Sequence, residues 1–343
     1  MKCRRCGVQK LSNEFPPWTI TETCRHAPLH CLRCVVAYVE EHGQCSQCDV
    51  TVGADSIRLK RCHSQLEAMF PECKLSYVPQ AEAATLGGGK GFINLAMLNG
   101  DSASVQLNAA MTVSTLKTLV KSKLQVPLEN QQLIYNGTKI KEFTDAKAAA
   151  TLGYYQVQPN STIHVIRLLY SAPKDLDKVV FDLYWGYPAH GPDFLDASVL
   201  IFEGMKYVSV LDYRHTSFPP AMRHSGDLMD HINRKGHHLI NVDLLKIPPN
   251  ITHFFFTLSA WNSPTVSSYP NPSLRFYKES EPGKMLCEDT ITKLNYSQAI
   301  VMAWMTQQDG HWCVFSAGKA SAGNAMNYSC LVSTIRAIIS NGL

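Results

Sequence analysis

Apolar runs separated by turn-forming residues dominate the second half of the chain. They predict strands at 179–185, 197–202, 207–211, 240–244, 253–259, 274–277, 299–305 and 312–317. One stretch, 327–340, has helical spacing and ends at Asn341 and Gly342. Many short strands with a single helix favour a β-sandwich from residue 173 to the end.

The middle of the chain mixes both periodicities. An apolar run at 92–98 meets Asn99 and Gly100, a dipeptide that suits a hairpin turn, and Val105 to Leu107 returns. Residues 112–124 have helical spacing, and 162–168 alternate as a strand. Pro173 marks the joint with the sandwich. These patterns predict an α+β domain at 92–169.

The first part of the chain is poor in regular apolar periodicity. Part of 56–70 is predicted to be a helix that stops at Pro71. The small-residue and glycine run at 80–91 is predicted to be a flexible linker. Residues 1–79 therefore need something other than a large apolar core to hold them together.

The composition indicates the class of protein and its cellular compartment, but it does not indicate a binding partner. With 343 residues, 17% charged residues and a net charge of +4, the chain reads as an ordinary globular protein of several domains. No nucleic-acid partner is indicated, because the pI of 8.4 is below that of basic binding domains. No apolar run approaches the roughly 20 residues of a membrane span, and no secretory signal is recognised at the start. We expect a cytoplasmic protein, with the nucleus as the alternative.

Seven of the twelve cysteines precede residue 49. In a reducing compartment, such crowding indicates metal ligation rather than disulfides. Pairs spaced for a zinc ion supply eight ligands for two sites: Cys3 and Cys6, Cys24 and His26, Cys31 and Cys34, Cys45 and Cys48. Further along, Cys62, His63 and Cys73 are interpreted as structural residues rather than as a third metal site.

The order of these pairs resembles a RING domain. The resemblance implies a cross-brace, in which the first pair joins the third at one zinc ion and the second joins the fourth at the other. His30 is an alternative ligand to Cys31, since the gap after His26 is one residue longer than in most RING domains.

RING ubiquitin ligases act by recruiting a ubiquitin-conjugating enzyme and orienting its thioester-linked ubiquitin. The docking candidates implied by the resemblance are Arg5, Val8, Tyr38 and Ser46, of which Tyr38 alone has the usual character. Asp49 stands where many active RING domains have a cation. A ligase and a non-catalytic zinc scaffold therefore both remain open.

Residues 92–168 resemble ubiquitin, most clearly in Asn130 to Gly137 (NQQLIYNG) and Asn160 to Leu168 (NSTIHVIRL). The resemblance implies a β-grasp fold and an exposed recognition patch made of Leu98, Ile134, His164 and Ile166. The alternative is that these residues pack against the neighbouring domain. The terminal glycine pair of ubiquitin is replaced by Leu169, Tyr170, Ser171 and Ala172, so this domain is not expected to be conjugated.

The residues from 173 to the end resemble the TerD family of bacterial tellurite-resistance operons. The matches are LDAS at 195–198, HSGD at 224–227, NVDL at 241–244, FFFT at 254–257 and QDGHW at 308–312. The family binds calcium, and Asp196 and Asp227 are the candidate ligands here. Tight calcium binding is not expected, because Arg234, Lys235, His237 and His238 stand in the usual acidic run; His237 and His238 are expected at the surface.

Together these features predict a multidomain α+β protein with a cross-brace zinc RING at 1–79, a β-grasp domain at 92–169 and a TerD-like β-sandwich at 173–343. The expected function is that of a RING-type ubiquitin-protein transferase, with two zinc ions as cofactors. A conjugating enzyme, ubiquitin or its receptors, and an unidentified protein substrate are the expected partners. The alternatives are a scaffold that recruits ubiquitin machinery and a stress-linked, ion-sensing TerD-like protein.

Overall fold

The computed structural model describes residues 1–53, 55–69, 91–189, 191, 193–261, 263, 265–292 and 297–342. The chain divides into two compact units, Met1–Glu82 and Ala83–Leu343. The linker predicted at 80–91 lies outside the described residues except for Gly91, and so does Cys73. Within the described ranges, no helix combines the length and the apolar character that a membrane span requires.

The described part of the first unit has two α-helices, α1 (Leu32–His42) and α2 (Ile57–Met69). Helix α1 ends at Gly43, whose φ of 64° is a left-handed conformation that favours glycine. Its apolar face packs with α2 and the preceding loop in a small cluster that includes Leu32, Val39, Ile20 and Leu59. Helix α2 confirms the helix predicted within 56–70.

The second unit begins with a strand–strand–helix–strand arrangement that matches the expected β-grasp. Its elements are β1 (Phe92–Ala96), β2 (Ser102–Gln106), α3 (Val113–Leu124), β3 (Gln131–Tyr135), β4 (Thr138–Ile140) and β5 (Thr162–Ser171). The Thr112 side chain caps α3 by accepting a hydrogen bond from the Thr115 amide. Strand β5 pairs in parallel with β1 and antiparallel with β3, so it is the central strand of this sheet.

The rest of the unit is two stacked sheets with one terminal helix. The elements are β6 (Lys178–Gly186), β7 (Leu195–Glu203), β8 (Lys206–Leu211), β9 (Ser217–Phe218), β10 (Met222–His224), β11 (Leu228–Asp230), β12 (Lys235–Asp243), β13 (His253–Ala260), β14 (Ser273–Lys278), β15 (Met285–Thr290), β16 (Ala299–Gln308), β17 (His311–Ser321) and α4 (Ser329–Ser340). All eight predicted strands and the predicted helix occur. Strands β9, β10, β11 and β15 were not predicted, because they are short or carry mixed side chains at a sheet edge.

The β-grasp part and the sandwich share one sheet. Strand β5 continues past the end of the ubiquitin resemblance, and its later residues pair antiparallel with β17. The register joins Leu168 to Phe315 and Tyr170 to Val314. Among the described residues, the strand order β2-β1-β5-β17-β16-β13-β7-β8 runs through both parts without a break. The two parts are therefore joined by backbone hydrogen bonds as well as by the chain connection.

An apolar cluster lies beside this junction. It contains residues that were expected to form an exposed recognition patch, so that expectation is wrong. Ile134 and Ile166 are 2% and 1% exposed and belong to the same buried cluster as Phe315 of β17 and Leu331 and Ile335 of α4. Leu98 packs against this cluster and is partly buried. His164 is also partly buried, and this burial lowers its pKa. The aliphatic surface that ubiquitin exposes is thus covered by the sandwich, because α4 and β17 supply apolar side chains that replace solvent there.

Truncation of Ile134 should therefore act on stability. We expect Ile134→Ala to lower the free energy of unfolding of the second unit by about 2–5 kcal/mol, as for other buried aliphatic truncations. Urea unfolding followed by circular dichroism measures it. Ile232→Ala is the control, because Ile232 is 94% exposed and should cost under about 0.5 kcal/mol. Unchanged stability of Ile134→Ala, together with lost binding of a ubiquitin receptor, would contradict the buried interpretation.

Candidate functional site

Two groups of four potential metal ligands assemble in the first unit. One contains Cys3, Cys6, Cys31 and Cys34, and the other contains Cys24, His26, Cys45 and Cys48; within each group the ligand atoms all lie within 4.8 Å of one another. The grouping is interleaved, since the first and third pairs meet at one point and the second and fourth at another. This is the eight-residue ligand set that the spacing predicts.

The distances in the second group suit a small tetrahedral ion. Cys24 Sγ and Cys48 Sγ are 3.5 Å apart, and His26 Nε2 lies 3.3 Å from Cys45 Sγ. Bonds of about 2.3 Å to sulfur and 2.0–2.1 Å to nitrogen would space tetrahedral ligand atoms by roughly 3.5–3.8 Å. Thiolate and imidazole donors in this arrangement fit zinc. The residues therefore fit the ion that the sequence implied.

Neighbouring groups orient the ligand side chains. His26 Nδ1 lies 3.1 Å from the carbonyl oxygen of Ala27 and 3.0 Å from the side-chain amide nitrogen of Gln47, and these two groups hold the ring with Nε2 facing Cys45 Sγ. In the first group, the Cys31 amide donates a hydrogen bond to Cys3 Sγ at 3.2 Å, which favours the thiolate form of that sulfur. The contact at Cys3 supports metal ligation by the first group.

The alternative ligand His30 is excluded from both groups. Its Nδ1 is 3.0 Å from Ser46 Oγ, while Cys31 occupies the ligand position. Cys62 is buried in the apolar cluster of the first unit, and His63 Nε2 lies 3.3 Å from Glu40 Oε1. The interpretation of Cys62 and His63 as structural residues agrees with these contacts.

The docking candidates are partly brought together. The guanidinium of Arg5 lies over the Tyr38 ring, 4.3 Å from its centroid, and the Tyr38 hydroxyl donates to Asp49 Oδ1 at 3.3 Å. Ser46 instead contacts His30, and Val8 is exposed. Arg5, Tyr38 and Asp49 thus form a polar surface.

The candidate calcium ligands do not form a ligand cluster with a third acidic group in the described residues. Asp196 Oδ2 is buried and has no hydrogen-bond partner among the described residues. Burial, with added repulsion from Asp227 and Asp212, raises the pKa of Asp196 to about 7. Asp227 lies 3.0 Å from His238 Nε2. This contact with His238 lowers the pKa of Asp227.

The expectation that His237 and His238 both lie at the surface is wrong for His238. It is fully buried on β12, and its Nδ1 is 3.1 Å from His224 Nε2. His224 Nδ1 accepts a hydrogen bond from the Gly226 amide at 2.9 Å. The partly exposed His237 fits the expectation better, with Nδ1 2.9 Å from Asp182 Oδ1. The two adjacent side chains point to opposite faces of β12, as strand geometry requires, so one of the pair must enter the interior.

Comparison with known proteins identifies the middle of the chain. The family model described as 'Ubiquitin family' matches residues 93–169. Residues 93–169 form a ubiquitin-like domain. Human ubiquitin-like protein 4A is 35% identical over 85 residues, which are 25% of this chain and 46% of that protein.

The chain also has a TerD-like part. Tellurium resistance protein TerZ of Serratia marcescens is 25% identical over 117 residues, which are 34% of this chain and 60% of TerZ. A solved homologue of telluride resistance protein (TerD) from Streptomyces coelicolor A3(2) has 16% identity and a TM-score of 0.39, covering 45% of this chain and 96% of its own. The chain spans about half the length of the curated relatives that it matches.

Removal of one ligand should reduce the metal content. We expect the purified chain to carry two zinc ions and Cys45→Ser to lose at least one, because a tetrahedral site that lacks a thiolate binds much more weakly. Elemental analysis by mass spectrometry measures the stoichiometry. Cys62→Ser is the matched control, since Cys45 and Cys62 are both buried in the same apolar cluster. Two ions retained in Cys45→Ser would contradict the assignment.

Replacement of Asp196 tests whether that carboxyl group binds calcium. The pKa of Asp196 is raised to about 7 in the folded protein. The protein therefore becomes less stable as the pH rises from the pKa of the unfolded state towards 7, because the carboxyl group ionises first in the unfolded state. We expect Asp196→Asn to stabilise the protein by about 1–3 kcal/mol at pH 8 and by much less at pH 4. Thermal unfolding with a chelator measures this difference. If calcium raises the melting temperature of the parent protein and Asp196→Asn abolishes that rise, the interpretation fails.

Proposed function

We propose that this chain is a RING-type ubiquitin ligase. The observation that carries the proposal is the interleaving of eight cysteine and histidine ligands in two groups, the arrangement on which a cross-brace RING domain depends. Two zinc ions held by these groups would fold the first unit and fix the loops around them. The zinc ions serve structure alone, and the domain contributes orientation rather than covalent chemistry.

The surface made by Arg5, Tyr38 and Asp49 is the proposed docking site for the conjugating enzyme. Tyr38 is held between the Arg5 guanidinium and the Asp49 carboxylate. A side chain fixed on two sides loses little conformational entropy when a partner binds. The ubiquitin-like domain supports a place in the ubiquitin pathway, and the TerD-like part is the proposed substrate-recognition module.

A non-catalytic scaffold is the second candidate, and one observation favours it. Asp49 follows the last cysteine, where a cation would be needed to contact both ubiquitin and the conjugating enzyme, and its carboxylate accepts a hydrogen bond from Tyr38. In this alternative the metal-bound unit binds a partner without promoting transfer. The ion-sensing alternative receives less support, because His238 engages Asp227.

Discharge of ubiquitin from a panel of charged conjugating enzymes onto free lysine tests the proposal. We expect the full-length protein to accelerate discharge for at least one enzyme, and Tyr38→Ala to slow it at least tenfold with an unchanged zinc content. The slowing follows from loss of the side chain that organises the docking surface. Tyr154→Ala is the matched control, because Tyr154 is an exposed tyrosine of the second unit.

Two outcomes would count against the ligase. One is a fully zinc-loaded protein that discharges no enzyme of the panel. The other is equal discharge by the parent protein and Tyr38→Ala, which would move docking away from this surface. Binding of a conjugating enzyme without discharge would favour the scaffold.

A further inference from the structure

A cavity of about 520 Å³ lies at one end of the sandwich. Its lining comes from three places: the segment 172–176 between β5 and β6, the segment 244–251 between β12 and β13, and the β16–β17 hairpin at 307–312. The volume falls within the range of small-molecule sites, about 300–1,000 Å³. All of the lining belongs to the second unit, so a function of this cavity does not depend on the metal-ligand groups of the first unit.

The floor of this end cavity is formed by the sandwich core. Leu176, Leu244, Ile251 and Trp312 line the cavity, and each is between 4% and 8% exposed and belongs to the buried cluster between the two sheets. The Trp312 ring packs against Phe254, with the ring centroids 5.8 Å apart. A ligand that covers these side chains therefore exchanges water for apolar contacts.

The more exposed part of the lining is apolar as well. Leu245 is 72% exposed, and Pro173, Pro248 and Pro249 also line the cavity. Proline has no backbone N–H group, so these three positions offer a ligand carbon atoms and carbonyl oxygens but no backbone donor. The apolar character of the cavity thus extends from its floor to its rim.

Backbone hydrogen bonds fasten the segments that surround the cavity. The Ala172 amide donates to the Trp312 carbonyl oxygen at 2.7 Å, and His311 Nδ1 lies 3.2 Å from the Ala172 carbonyl oxygen. The Leu244 amide donates to the Asp177 carbonyl oxygen at 2.7 Å, which ties the second segment to the chain that follows the first. Walls that are already fixed lose little conformational entropy when a ligand binds.

Lys174 supplies the charge of this cavity. The lining contains this one lysine, the polar side chains of Gln307 and His311, and no aspartate or glutamate. Lys174 is exposed and forms no ion pair with another residue that the structure describes. Its sequence neighbour Asp175 lies outside the lining. An apolar cavity with one cation and no carboxylate in its lining complements an anion that has an apolar body.

We propose that this end cavity binds a small aliphatic carboxylic acid in its carboxylate form. The alkyl chain covers the floor at Leu176, Ile251 and Trp312, and the carboxylate accepts a hydrogen bond from Lys174 Nζ at the rim. The apolar floor provides affinity for the chain, and the lysine selects an anion over a cation of the same length. The end cavity is thus a site for a metabolite-sized amphipathic anion within the TerD-like part.

Calorimetric titration of the full-length protein with butanoate, hexanoate, octanoate, octanol and octylamine tests the proposal. We expect saturable binding of octanoate in the millimolar range or below, and an affinity that rises about two- to fourfold for each methylene added to the acid. Octylamine should bind about tenfold more weakly than octanoate, because Lys174 attracts the carboxylate and repels the ammonium group. Octanol, which has the chain without the charge, should lie between them.

Two substitutions at exposed positions assign the binding to this cavity without disturbing the core. Lys174→Gln should weaken octanoate binding about threefold, as loss of one exposed ion pair does, and bring it level with octanol. Lys319→Gln is the matched control, since Lys319 is an exposed lysine outside the lining. Leu245→Asp should make octylamine bind more tightly than octanoate, whereas Ile232→Asp, at a residue that is 94% exposed and outside the lining, should leave the order unchanged.

Three results would overturn the proposal. The first is absence of saturable octanoate binding by the parent protein. The second is an affinity for octanol or octylamine equal to that for octanoate, which would mean that the charge of Lys174 selects nothing. The third is octanoate binding that neither Lys174→Gln nor Leu245→Asp changes, which would place the acid elsewhere on the protein.

Discussion

Strand β5 hydrogen-bonds with β1 and β3 of the ubiquitin-like domain along its first half and with β17 of the sandwich along its second half. Other features of the second unit depend on this one strand. Its continuation past Leu168 sets the register between the domains, and that register brings α4 and β17 over Ile134 and Ile166. Apolar burial and backbone pairing act together here, so that separating the domains would expose both unpaired strand groups and aliphatic side chains to water.

This arrangement restricts how the ubiquitin-like domain can act. A receptor that needs Ile134 and Ile166 must first open the junction, and its apparent affinity falls by the fraction of molecules that are open. The covering surface is in the same chain, so its effective concentration is in the millimolar range or higher. The ubiquitin-like domain is therefore a structural partner of the sandwich in this conformation, and recognition through it has to use other faces.

The amount that the sequence could predict differed between local and distant features. The metal-ligand pairs were predictable because the two members of each pair are close neighbours in the sequence, and the strands of the sandwich were predictable from their long apolar runs. The burial of Ile134 was not predictable, because the residues that cover it, such as Phe315 and Leu331, lie more than 150 positions later in the sequence and in another domain. The burial of His238 depended in the same way on which face of β12 meets the interior, and the register of the neighbouring strand decides that face.

A resemblance to a family carries over backbone geometry more safely than it carries over chemistry. Asp227 Oδ1 lies 3.0 Å from His238 Nε2, and Asp196 Oδ2 is buried with no hydrogen-bond partner among the described residues. A histidine side chain that contacts a carboxylate takes a place that a cation or its water would otherwise fill. The loop around His224 and Asp227 is held by hydrogen bonds internal to the chain. In the first unit, likewise, the ligand spacing predicted the two metal-ligand groups, whereas the contacts of Arg5 and Asp49 with Tyr38 followed only from the folded structure.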